Sequence, residues 1–230
     1  MPVSRRVLAF LAISWVVVVL YPHPGVLLAS VRNLRAAHAD PGAAGALAAS
    51  LPDDPREIER LILSEVVPYA SDWEAGGVPW SFPTAGDALA ARRGDCESRA
   101  LVLASVLAAK GIPHELRMSF DHIWVDYPGK VPTASENARR AIAGTDGGGW
   151  SALRWPSDVD LGRELRAQRA IYWDPMPEER RLMLLAGLLG IVCWNACVRL
   201  TAGPAPGRSS GGGTIRLSCP PRPSSAGGSS

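Results

Sequence analysis

The sequence is short of the residues that staple or metallate a fold. Its 230 residues hold four Cys and four His. Cys193 and Cys197 sit inside an apolar run, Cys219 sits in a Gly/Ser/Pro tail, and Cys96 stands alone mid-chain. That spacing excludes a disulfide framework and a zinc site. With no cluster of ligand residues, no metal or other cofactor is expected. Acidic residues are absent from both ends. Residues 1–39 carry four Arg and residues 180–230 six, while all 22 Asp and Glu lie between Asp40 and Glu179, against 14 Lys or Arg. An acidic middle is a poor partner for phosphates, which excludes nucleic-acid binding. The basic ends accompany two long apolar runs, and that pairing points to a membrane.

Residues 7–31 carry no formal charge. As one helix they would span about 37 Å, enough to cross a bilayer. Pro22 and Pro24 predict a kink or an end near Tyr21. Residues 1–35 are therefore read as an N-terminal anchor. A signal peptide is the alternative, since Ala37-His38-Ala39 fits a cleavage site, but it lies far beyond the apolar core of residues 7–20. The second run, 182–198, is bounded by Arg181 and Arg199, with Tyr172 and Trp173 where an interfacial belt would sit, and residues 180–200 are read as a second transmembrane helix. Its only strongly polar residue is Asn195; an amphipathic or buried helix is the alternative. Two spans place both termini on one side. Arg5-Arg6 and the basic tail make that side cytoplasmic and the middle extracytoplasmic. Residues 201–230, 19 of them Gly, Ser or Pro, read as a disordered tail. Residues 36–52, rich in Ala, Gly and Pro, read as a linker.

One packed domain then remains, residues 53–175. Asp54-Pro55 opens a helix whose stripe is Ile58, Leu61, Ile62 and Val66. Thr84 caps a short helix, and Asp95 caps another over residues 96–109, with Ala100, Leu101, Ala104, Leu107 and Ala108 as its apolar face. After Pro113 the period becomes two, so residues 114–120 and 122–127 read as strands, with a short third strand from Val131. Helices followed by an antiparallel sheet give an α+β class.

Cys96 opens a helix, where the partial positive charge favours a thiolate. A lone Cys is commonly a small buried hydrophobe, but this one follows Gly94-Asp95 at a loop-to-helix junction. His122 opens a strand and shares a face with Trp124 and Asp126. It is a base that could take the thiol proton. His23, His38 and His114 have no partner pattern.

Gly94-Asp95-Cys96-Glu97-Ser98-Arg99-Ala100-Leu101, then Gly111-Ile112-Pro113, then His122-Ile123-Trp124-Val125-Asp126, resembles the core of the transglutaminase-like superfamily. The resemblance covers residues 84–137. It implies a papain-like α+β core, with a helix carrying the nucleophilic Cys packed on an antiparallel sheet carrying the His. It also implies an Asp or Asn about fifteen residues after the His, and Asn137 stands at that spacing. Hairpin geometry leaves the orienting residue open. A two-, three- or four-residue loop would set Ser135, Glu136 or Asn137 opposite His122. Asp126 lies about 6.8 Å along the strand from His122. An upstream aromatic such as Trp73 or Trp80 could line an oxyanion hole, although packing is the ordinary role of each.

The expected function is a membrane-tethered cysteine acyl-transfer enzyme acting on protein or peptide amides. Cys96 would be nucleophile, His122 base and Asn137 its orienting partner; water as second nucleophile gives a peptidase or amidase, an amine gives crosslinking. The alternative is a catalytically inactive membrane scaffold or binding domain of the same fold.

Overall fold

The structure is a computed structural model that describes residues 4–145, 150, 154–155 and 160–201. Thr201 ends the last helix, and the rest of the tail, 202–230 with Cys219, lies outside the described residues. The class is α+β, with a small three-stranded antiparallel sheet among many helices.

At the centre is helix α7, numbered in chain order and spanning Cys96–Ala109. Leu101, Val102, Leu103, Ala104, Val106 and Leu107 are all buried, so α7 is apolar almost all round rather than on the single face expected. Such a helix must be covered on every side. Helices α3 (Pro41–Ser50) and α6 (Ala85–Ala91) pack on it, as do α4 (Pro55–Leu61), the π-helical turn Ile62–Val66 and the sheet. The capping signals are realised. Asp54 accepts from the Arg56 N–H, and Thr84 and Asp87 close a capping box. Asp95 holds the N-cap position of α7 but makes no side-chain cap hydrogen bond.

Residues 36–52 are not a linker. Asp40 accepts the Ala43 N–H at 3.0 Å, Pro41 begins the helix, and α3 buries Ala44 and Ala48 against the core. Alanine is the strongest helix former, and its small side chain lets two helices approach closely. The third strand also differs from expectation. Strands β1 (Glu115–Met118) and β2 (Ile123–Asp126) pair antiparallel, with Glu115 opposite Asp126 and Met118 opposite Ile123. The segment after Val131 forms turns instead of a strand, and Pro132 has no N–H to give to β2. Strand β3, Ala143–Gly144, joins the other side of β1, so the order is β2-β1-β3 and β2 is an edge.

The uncharged N-terminal run is two helices. Helix α1 (Arg5–Leu20) stops where Pro22 and Pro24 predict, and α2 (Pro24–Arg35) leaves at 87°. Helix α2 lies on the domain: Ser30 Oγ accepts the Phe82 N–H at 3.0 Å, and Asn33 Nδ2 donates to the Phe82 carbonyl. Short helices α5 (Asp72–Gly76) and α8 (Leu161–Gln168), the latter continued by a π-helical segment Arg169–Trp173, lead to α9, Glu178–Thr201. Among the described residues α9 alone is by itself long and apolar enough to cross a membrane. It pairs antiparallel with α1. Trp15 Nε1 donates to the Met183 carbonyl at 3.2 Å, and a Cβ at Gly187 would lie 2.0 Å from the Trp15 ring, so only glycine fits there. Phe10, Ile13, Val18, Leu185, Leu189 and Val192 point outward from this pair.

Candidate functional site

Two local features set the start of α7. Gly94 pairs with the chain near Tyr69: its N–H donates to Pro68 O at 3.2 Å, and its carbonyl accepts the Ala70 N–H at 3.0 Å. A Cβ at Gly94 would fall 2.3 Å from Ser98 Oγ, so glycine is needed for this approach. The chain then turns into α7, which delivers Cys96 to the end of β2. The Ile123 backbone N–H is directed at the Cys96 sulfur, and Ile123 follows His122. Ser119 holds the turn before β2: its N–H donates to the His122 carbonyl at 2.8 Å, and its Oγ accepts the His122 N–H at 3.1 Å. The His122 ring stacks on Trp124, with centroids 5.9 Å apart and planes 11° apart, as expected for alternate residues on one strand face.

Cys96 and His122 line the same cavity of about 350 Å³. Its walls include Trp80, Phe82, Met118 and Tyr172, and its polar edge is Asp72, Asp95 and Glu97. Both residues also line a second space of about 70 Å³ behind β2, with Glu136 and Glu59.

The electrostatics run against the helix-dipole expectation. The Cys96 S–H donates to Glu97 Oε2 at 3.0 Å. Burial, and then the charges of Glu97 and Asp95, push the thiol well above its ordinary value. A helix N-terminus contributes a fraction of a charge; two neighbouring carboxyl groups and desolvation outweigh it. Burial likewise pushes His122 down, opposed by the Glu136 and Asp121 charges. The resting pair is thus a neutral thiol beside a neutral imidazole. Asp95, half-buried against Glu97, is raised to about 9, and Asp72, buried against Asp95, to about 7. Asp95 Oδ1 is buried with no hydrogen-bond partner. Asp95 thus holds its proton at neutral pH, while Asp72 titrates there. Asp95, Cys96 and Glu97 bring three ligand-type atoms within 4.8 Å of one another.

The structure does not bring Asn137 to the cavity. Asn137 caps the 3-10 turn Ala138–Arg140, and its Oδ1 accepts the Arg139 N–H at 2.9 Å. Asn137 and Asp126 line another surface pocket, from which Cys96 and His122 are both missing, and Asp126 pairs with Arg117 at 3.4 Å. Glu136 is the expected alternative that does reach the pair. It is buried, held by Lys130 Nζ at 2.7 Å and the Thr133 N–H at 2.8 Å, and its charge favours a protonated His122. Trp80 lines the cavity and donates Nε1–H to Glu97 Oε1 at 3.2 Å; Trp73 instead packs outside it, donating to the Tyr172 carbonyl at 2.9 Å. The roles of Glu97 and Asp72 were not read from the sequence. Glu97 stands in the Cys motif itself, but nothing in its spacing tells a thiol partner from a solvated first-turn acid.

Comparison with protein-family models, with curated proteins and with solved structures finds no match to this chain.

Proposed function

We propose that this chain is a membrane-tethered, transglutaminase-like cysteine enzyme that transfers acyl groups from amides. One observation carries the reading. A Cys at the N-terminus of the central helix has its sulfur against the backbone N–H of the residue after His122, and both side chains face one cavity. The chemistry follows from that juxtaposition. As the sulfur bonds to the amide carbonyl carbon, its proton passes to the His122 imidazole. The tetrahedral intermediate expels the amine, which takes that proton, and a Cys96 thioester remains. Water attacking the thioester gives a carboxylic acid; a second amine gives a new amide. The buried Glu136 carboxylate stabilises the transient imidazolium in the role that Asn or Asp has in related triads. The N-terminus of α7 favours the developing oxyanion. Helices α1 and α9 form the membrane anchor, with the domain on the extracytoplasmic face as the basic ends indicate.

The competing reading is a binding domain of the same fold. The thiol hydrogen bond favours it, since that bond goes to Glu97 and not to the imidazole. Alkylation separates the two. With Cys193, Cys197 and Cys219 replaced by Ser, iodoacetamide labels Cys96 at pH 7.5. His122→Ala should slow this by about a hundredfold, the lower end of general-base effects. Glu97→Gln should accelerate it several-fold by removing a charge that opposes the thiolate. Cys96→Ala sets the background. Equal rates in wild type and His122→Ala would leave the binding domain as the better reading.

A further inference from the structure

The cavity lies at the root of the helix pair. Tyr21, the first residue after α1, donates its hydroxyl to the Trp80 carbonyl at 3.1 Å. Trp80 Nε1 donates to Glu97 at 3.2 Å, and Glu97 accepts the Cys96 S–H at 3.0 Å. Three hydrogen bonds thus connect the end of α1 to the thiol. The other helix arrives at the same place. Ile171 and Tyr172, in the π-helical segment just before α9, line the cavity, and the Tyr172 carbonyl is tied to Trp73 in α5. Leu34 from α2 completes this wall.

The residues at this junction are those of a bilayer interface. The Arg181 guanidinium lies 5.8 Å from the Trp173 ring centroid, and Arg180 donates to the Val19 carbonyl at 2.7 Å, across from α9 to α1. Aromatic rings beside Arg, with apolar helices beginning immediately beyond, mark the depth where hydrocarbon meets head groups. The opposite end of the domain is polar. Helix α7 runs about 21 Å from Cys96 to its C-terminus, where Lys110 pairs with Asp53 at 2.7 Å, and the Asp53 side chain is 96% exposed.

We infer that the cavity opens onto the membrane surface, and that its substrate is the juxtamembrane segment of another polypeptide anchored in the same bilayer rather than a soluble peptide. This rests on the acyl-transfer reading for the chemistry, but on the helix pair alone for the geometry. Anchoring two polypeptides in one plane raises their effective concentration, and a segment that emerges beside the helix pair is presented at the depth of the cavity rim.

The test places single cysteines in a chain whose native four are replaced by Ser, reconstituted in phosphatidylcholine vesicles. Phe120→Cys reports the rim, since Phe120 lines the cavity, is 44% exposed and accepts Gln168 Nε2 at 2.9 Å just before the Tyr172 segment. Asp53→Cys reports the far end. Phosphatidylethanolamine carrying a head-group maleimide should label Phe120→Cys at least tenfold faster than Asp53→Cys, while a soluble maleimide labels both. Equal lipid labelling of the two, no lipid labelling at the rim, or a rim thiol closed to the soluble probe would overturn the inference. Protein that fails to float with the vesicles would overturn it together with the membrane anchor. None of these outcomes touches the His122→Ala alkylation result, so failure of the geometry and failure of the chemistry remain distinguishable.

Discussion

Lys130→Met should destabilise the domain by about 3–5 kcal/mol, the range seen when one partner of a buried ion pair is removed. The Lys130 side chain is 4% exposed, and its ammonium donates to Glu59 at 2.9 Å, to Glu136 at 2.7 Å and to the Val125 carbonyl at 2.7 Å. Tyr127 donates its hydroxyl to Glu59 at 2.6 Å, and burial, then that carboxylate, drives the phenol above its normal range. One cation therefore neutralises a half-buried carboxylate from α4 and a buried one from the turn after β2. Methionine keeps the bulk and removes the charge, so both carboxylates lose their counter-ion and Glu136 is left buried with only the Thr133 N–H. Denaturant unfolding of the detergent-solubilised chain measures the loss. Adding Glu59→Gln and Glu136→Gln should restore much of it, because the unpaired charges go with them. A loss under about 1 kcal/mol for the single variant would mean that water reaches these groups.

This ion cluster was invisible in the sequence for a physical reason. Glu59, Lys130 and Glu136 are ordinary charged residues until the turn after β2 folds back over α4, and no local pattern announces that return. What could be read was local. Asp54-Pro55, Thr84 and the Gly94-Asp95-Cys96 junction mark helix starts, because capping depends on a few adjacent residues. The change of period after Pro113 marks β1 and β2. Helix α3 reads as a linker in sequence because Ala, Gly and Pro report composition, whereas its helix is fixed by the Asp40 cap and by packing on α7. Asn137 was placed by a spacing rule that assumes a strand after β2; Pro132 and the Lys130–Glu136 pair make a turn there instead, so Glu136 faces inward and Asn137 caps the 3-10 turn. The acidity of the cavity was the larger miss. The helix dipole at Cys96 is legible in one dimension, but Asp72 comes from a different helix and joins Asp95 and Glu97 only in the folded chain.

That acidic edge makes stability fall as pH rises. Asp72 is buried, accepts the Ser81 N–H at 2.6 Å and the Ser81 hydroxyl at 2.7 Å, and lies against Asp95. Its carboxyl group rises from 3.8 to about 7, chiefly through burial. The folded chain therefore holds a proton that the unfolded chain releases. The stabilisation is fully present below about pH 4, declines between about pH 4 and 7, and is gone above that; Asp95, raised to about 9, extends the decline. Each such group contributes a slope of about 1.4 kcal/mol per pH unit within its window. Asp72→Asn should remove one of them. Asparagine can accept the Ser81 N–H through its oxygen and donate to the Ser81 hydroxyl, so both hydrogen bonds survive. The variant should match wild type near pH 4 and exceed it at pH 8 by up to about 4 kcal/mol. It should also ease ionisation of Asp95 by withdrawing a neighbouring charge. Urea unfolding in detergent at pH 4, 6 and 8 measures this directly. Parallel pH profiles for wild type and Asp72→Asn would show that Asp72 is already ionised in the folded chain, and that the cavity is far better hydrated than its burial implies.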